Sequence, residues 1–244
     1  REESLGDSRT YDAYRAPFYA ARVRITQTPE NTLGVISTMS DPLLDHLTRH
    51  VGPITTVFEE IVPGEPRLDI VHISSSLFRR YEVIATRGMS ATAMPVPPDS
   101  TEPRFAELIA VLPKGWPIRA SAFGAENNYW PIRLLKTLAR VPFEGSTWLG
   151  FGHTHANGGS EATVKPYAQN TGLCAVILLP PATLGERAWN FRRPDGAEVF
   201  LWAVVPLHLS ELKFKQTNGV DALLDVLDKN RITDKLDPER KAVV

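Results

Sequence analysis

Two stretches in the C-terminal half, TGLCAVILLPP (171–181) and EVFLWAVVPL (198–207), carry almost no polar side chain. A strand with one face in water alternates polar and apolar residues, so runs that are apolar throughout belong to strands covered on both faces. RRPDG (192–196), a turn signal, precedes the second run. The chain must therefore supply helices to cover this pair, and its remaining pattern does so.

Ser40-Asp41-Pro42 reads as a helix start, with the Ser40 hydroxyl as cap and proline in the first turn; LLDHLTRHV continues it to Gly52. Three strand-like runs follow, TTVFEEIV (55–62), RLDIVHIS (67–74) and RYEVIATRGM (80–89). Within the second, DIVHI alternates polar with apolar, as a strand with one covered face should. After the proline-rich MPVPPDSTEP (94–103) comes a fourth run, RFAELIAVL, ended by Pro113-Lys114-Gly115.

YWPIRLLKTLARVPF (129–143) is the clearest helix: Ile132, Leu135, Leu138 and Ala139 share one face, and Arg133, Lys136 and Arg140 form a basic face read as solvated. A helical stretch opens at Ser210-Glu211-Leu212, and GVDALLDVLDKN (219–230) sets Val220, Leu223, Leu224 and Leu227 opposite the acidic Asp221, Asp225 and Asp228. This order predicts an α/β (α+β) fold, a mixed central β-sheet with helices packed on it. Residues 1–38 are read as an N-terminal extension, 39–230 as one domain, and 231–244 as a charged C-terminal tail that frays.

A formal net charge of -1 over 244 residues gives no global pull toward nucleic acid or a membrane surface. No apolar run approaches the ~18 residues needed to span a bilayer. The polar N-terminus has no signal-peptide core, so the expected location is cytoplasmic. The single cysteine, Cys174, lies in an apolar run and reads as a buried thiol. Trp116, Trp130, Trp148, Trp189 and Trp202 read first as core residues, and second as interface anchors.

The one stretch that resembles a catalytic site is GFGHTHANGG (150–159), where His153 and His155 could supply two metal ligands. His46 and His50 have the i, i+4 spacing of a zinc-protease helix, but Leu47-Thr48-Arg49 between them lacks the glutamate base. His72 and His208 have no recognisable partner, and carboxylates such as Glu59, Glu60, Asp69 and Glu107 are scattered over the strand runs. A Gly-x-Ser-x-Gly elbow, a Walker loop and a dinucleotide fingerprint are all missing from the sequence. A metal-dependent hydrolase using the His153/His155 loop is the alternative reading on these residues.

An ordered series of short motifs points elsewhere. LDIVHI (68–73), YEVIATRGMS (81–90), RFAELIAVLPKGWP (104–117), YWPIRLLKTLARVPF (129–143), WLGFGHT (148–154), ILLPP (177–181) and FLWAVVPLHLSELKFKQTNGVDALLDVL (200–227) together resemble the Suppressor of fused (SUFU) family, in its bacterial single-domain type. Glu107-Leu108 with Leu112-Pro113 and Trp116-Pro117, and Pro206-Leu207 with Glu211-Leu212, weigh most.

The resemblance implies a non-enzymatic protein-binding domain that needs no metal or cofactor. Family members in animals grip an extended peptide by β-strand addition; bacterial members have been proposed as toxin-neutralising immunity proteins. It therefore implies a protein partner, a toxin or a regulatory protein, and a partner-binding loop at the Gly-His-Thr segment, Gly152, His153 and Thr154; His155, which lies outside the family pattern, is read as part of the same partner-binding loop. Two departures stand out: the animal proteins carry a second domain, and an acidic residue where this chain has Gly152.

Overall fold

A computed structural model describes residues 41–61, 64–158 and 163–244. The expected extension 1–38 and Ser40 lie outside the described residues. Helix α1 (Pro42–His50) is capped by the neighbour of Ser40: the Asp41 carboxylate accepts from the Leu43 and Leu44 N–H groups at 3.0 and 3.2 Å.

Strands β1 (Thr56–Phe58), β2 (Asp69–Ile73), β3 (Tyr81–Arg87) and β4 (Ala106–Pro113) form an antiparallel meander. Helix α2 (Glu126–Glu144) then leads to β5 (Thr154–Ala156), β6 (Ala175–Leu179), β7 (Asn190–Arg192), β8 (Glu198–Leu207) and α3 (Leu209–Lys229). The sheet order is β1-β2-β3-β4-β8-β6-β5, with β7 paired to the start of β8. The β4–β8 pair is parallel and every other pair antiparallel. This is the mixed sheet the sequence predicted, and the two apolar runs, as β6 and β8, lie inside it.

Each face of the sheet has its own core. On one, Ile70, Ile84, Leu108 and Trp202 pack with Trp130, Leu135 and Leu138 of α2. On the other, Val71, Val83, Ile109, Ile177 and Val205 pack with Leu43 and Leu47 of α1 and with Leu212, Leu223 and Leu227 of α3. The two-sided cover corrects the expectation for DIVHI, whose five residues are all buried. Its polar members survive because they are paired: His72 Nε2 meets Glu82 at 3.0 Å, and Arg87 meets Asp69 at 3.2 Å.

The basic face of α2 is also paired. Arg140 bonds both oxygens of Glu60 at 2.8 Å and Lys136 approaches the same carboxylate at 3.5 Å, while Arg133 pairs with Glu126. The predicted acidic stripe of α3 is exposed, as a solvated face should be. Gly219, at φ 87°, breaks α3 into two segments, the second carrying the Leu223/Leu227 stripe.

Residues 231–244, expected to fray, pack against the sheet. Leu236 donates its N–H to Val111 C=O at 2.8 Å and is buried. Arg240 forms a two-pronged ion pair with fully buried Glu211, both contacts 2.6 Å. A carboxylate placed at zero exposure needs a cation, and the one that meets it comes from 29 residues further along the chain.

Candidate functional site

The GFGHTHANGG loop becomes the end of the sheet. Gly152, at φ 73°, donates its N–H to Leu178 C=O at 2.8 Å, and Leu178 donates back to His153 C=O at 2.9 Å. The positive φ favours glycine, and space does too: a Cβ there would lie 3.0 Å from Val220 Cγ2. This locks the turn into β5, whose register on β6 is Thr154↔Ile177, His155↔Val176 and Ala156↔Ala175.

The pairing has a directional consequence. His153 C=O and Asn157 N–H both bond to the β6 side, to Leu178 and Cys174. Hydrogen-bonded pairs recur at every second residue of an antiparallel ladder, so His155 faces inward with them. The backbone N–H and C=O of Thr154 and Ala156 then point away from β6. Among the described residues no strand lies beyond β5. Phe151 stands beside this edge with 45% of its surface exposed, a large apolar side chain at the loop's rim.

The two histidines have separate environments. The His153 ring lies against Trp148, centroids 5.8 Å apart, with Nδ1 3.2 Å from the Trp148 carbonyl. Burial holds the His155 pKa below the ordinary histidine value, which favours the neutral imidazole. On α1, the His46 and His50 rings lie 4.9 Å apart, tilted at 52°, and His46 stacks on Phe191 of β7 at 5.3 Å. Among the described residues, no group of three or more His, Cys, Asp or Glu side chains converges as a metal site would require.

The structure thus brings Gly152, His153, Thr154 and His155 to one sheet edge, without joining the second histidine pair to them. Sequence reasoning missed two contributors. In the sequence Phe151 is one apolar residue among glycines, with nothing to mark it as exposed. The Glu102 carboxylate comes from the proline-rich loop to lie against Gly150, where a Cβ would strike it; no local spacing signals that contact.

The remaining buried polar groups read as scaffold. Glu107, fully buried on β4, accepts from Thr86 Oγ1, the Gly88 and Ser90 N–H groups and Ser90 Oγ at 2.5–3.0 Å. Burial raises its pKa, opposed by these donors. His208, expected to lack a partner, caps α3 with Glu211 and sets Nε2 2.9 Å from Arg240 C=O. Cys174 is buried, and burial raises its pKa.

A family model described as Suppressor of fused protein (SUFU) matches residues 64–241. Three solved structures share the fold at low identity. A SUFU homologue from Neisseria gonorrhoeae FA 1090 is 17% identical with a TM-score of 0.59, over 83% of this chain and 95% of that one. A Sufu chain in a Sufu–Fu complex is 16% identical with a TM-score of 0.55, over 82% of this chain and 90% of that one. Drosophila Suppressor of Fused is 14% identical with a TM-score of 0.56, over 83% of this chain and 50% of that one. No curated protein matches. Among the described residues, no helix is long and apolar enough to cross a membrane.

Proposed function

Because this chain belongs to the Suppressor of fused family, we propose that it is a non-enzymatic binding domain that takes an extended segment of a partner protein as an added strand on β5. The observation that carries the reading is the outward-facing backbone of Thr154 and Ala156 on the last strand of the sheet. An edge of that kind supplies main-chain hydrogen bonds, and the rim of Phe151, His153 and His155 supplies side-chain selection. The Sufu–Fu complex supports it by showing a Sufu chain with a protein partner. The partner class we assign is a toxin or regulatory protein met in the cytoplasm, with the chain acting as an immunity or regulatory protein.

Thr154→Pro tests the mode of binding. Proline removes the outward N–H at that position but leaves the inward ladder through His155 intact, as edge-strand prolines do. For the toxin assignment, the chain is co-expressed with a toxin encoded beside it, and growth is scored. Wild-type protection that Thr154→Pro abolishes, with the melting temperature held, is the expected result. Protection undiminished in the variant refutes strand addition at β5; wild-type failure to protect refutes the immunity role.

A further inference from the structure

The turn between β2 and β3, residues 74–80, carries Leu77 and Phe78, whose exposures are 91% and 99%. Among the described residues, apart from Phe151 at 45% on the β5 rim, the other exposed large apolar residues are Ile61 at 49% and Val244 at 41%. A pair this exposed touches almost nothing among the described residues of its own chain.

The turn is nevertheless built. Arg79 reaches back to the Val51 and Ser74 carbonyls with its guanidinium, and Ser76 and Arg79 bond each other through Ser76 N–H to Arg79 C=O at 2.8 Å and Arg79 N–H to Ser76 Oγ at 3.1 Å. Arg79 therefore fixes the base of the turn while Leu77 and Phe78 project.

Exposed cations surround that base. Arg80 follows the tip, Lys114 follows β4 at the same end of the sheet, and the Lys235 ammonium sits 5.3 Å from the Tyr81 ring. Two carboxylates near them are buried and engaged, Glu82 by His72, Ser75 and Gly115, and Asp234 by Thr183; exposed Asp237, two residues past Lys235, accepts from the Glu239 N–H at 3.0 Å and offsets one of the cations. The chain's balanced total charge conceals a local positive collar around an apolar tip.

We propose that this tip inserts into an anionic lipid surface, with Leu77 and Phe78 entering the headgroup region and Arg80, Lys114 and Lys235 meeting the lipid charge. Two isolated side chains fall well short of the roughly 800 Å² per partner that a stable protein interface buries. A bilayer asks for no matching shape, only apolar depth and positive charge. The tip is four strand spacings from β5, roughly 19 Å, so partner and membrane could be held at once.

The test is flotation of the purified chain with phosphatidylcholine vesicles, with and without a third of phosphatidylglycerol. Binding to the anionic vesicles alone, weakened at high salt, is expected. The Leu77→Ser/Phe78→Ser variant, changed only at exposed positions and so harmless to the fold, should lower the bound fraction about tenfold or more; Arg80→Gln and Lys114→Gln should each cost about fivefold. Phe78→Trp should show quenching by brominated acyl chains above the wild-type background. No binding to anionic vesicles, or binding that survives the serine variant, overturns the proposal. So does a dimer without vesicles that the serine variant dissolves, since the tip would then serve a second copy.

Discussion

Arg240→Ala puts the packing of the last fourteen residues to the test. Arg240 is 7% exposed and Glu211 0%, and their two 2.6 Å contacts are supplemented by His208 N–H at 2.8 Å and Val243 N–H at 3.2 Å to the same carboxylate. Removing one partner of a buried ion pair leaves the other charge uncompensated and costs about 3–5 kcal/mol, a large part of the 5–15 kcal/mol that ordinarily separates folded from unfolded protein. For a chain of this size the melting temperature should fall by roughly 6–20 °C. Urea unfolding of wild type, Arg240→Ala, Glu211→Gln and Arg240→Ala/Glu211→Gln measures the coupling, and the double variant should recover part of the loss because no buried charge is stranded.

The pH dependence has a definite sign. Burial pushes the Glu211 pKa up, but the Arg240 hydrogen bonds and charge, with the His208 and Val243 donors, outweigh it and hold the carboxyl below its usual value. A depressed folded-state pKa contributes stability above the unfolded value and loses it as pH falls through the folded one. The gap between wild type and Arg240→Ala should therefore narrow below about pH 4. A loss under about 0.5 kcal/mol at neutral pH, the size expected of an unremarkable surface substitution, would refute the argument and restore a fraying tail.

Glu107 gives the opposite sign. Burial raises its pKa, opposed by its hydrogen-bond donors, so its contribution is greatest below the unfolded value and declines as pH rises through the folded one; Glu107→Gln should flatten the decline of stability as pH rises above about 4 while costing under about 1 kcal/mol, read by chemical denaturation at a series of pH values. Elemental analysis after dialysis should find no metal retained by wild type or by His153→Ala/His155→Ala. Near-stoichiometric zinc lost in the double variant would revive the hydrolase reading.

What was legible in the sequence was whatever depends on near neighbours. The apolar run EVFLWAVVPL is β8 residue for residue, and Ile132, Leu135, Leu138 and Ala139 are all buried on α2. What was not legible depends on residues that meet across the chain. DIVHI looked half-exposed because its polar members resemble a wet face until Glu82 and Arg87 are seen beside them. Arg140 looked solvated because Glu60, 80 residues away, leaves no trace in helical periodicity. The candidate loop was half visible: its glycines and histidines marked the place, but that β5 is the outermost strand follows from the order of all the strands.

The parallel β4–β8 pair has a consequence in time. Ala106 aligns with Phe200, and Ile109 with Ala203, so the centre of the sheet closes only after a loop of about ninety residues has been brought together. Contacts of such long sequence separation slow folding, because chain entropy is lost before they form. During synthesis the β1–β4 meander emerges with β4 as a bare edge, open to pairing with other chains until β8 leaves the ribosome. Sequence changes that delay β8, wherever they fall between residues 114 and 197, should appear first as poor yield of folded protein.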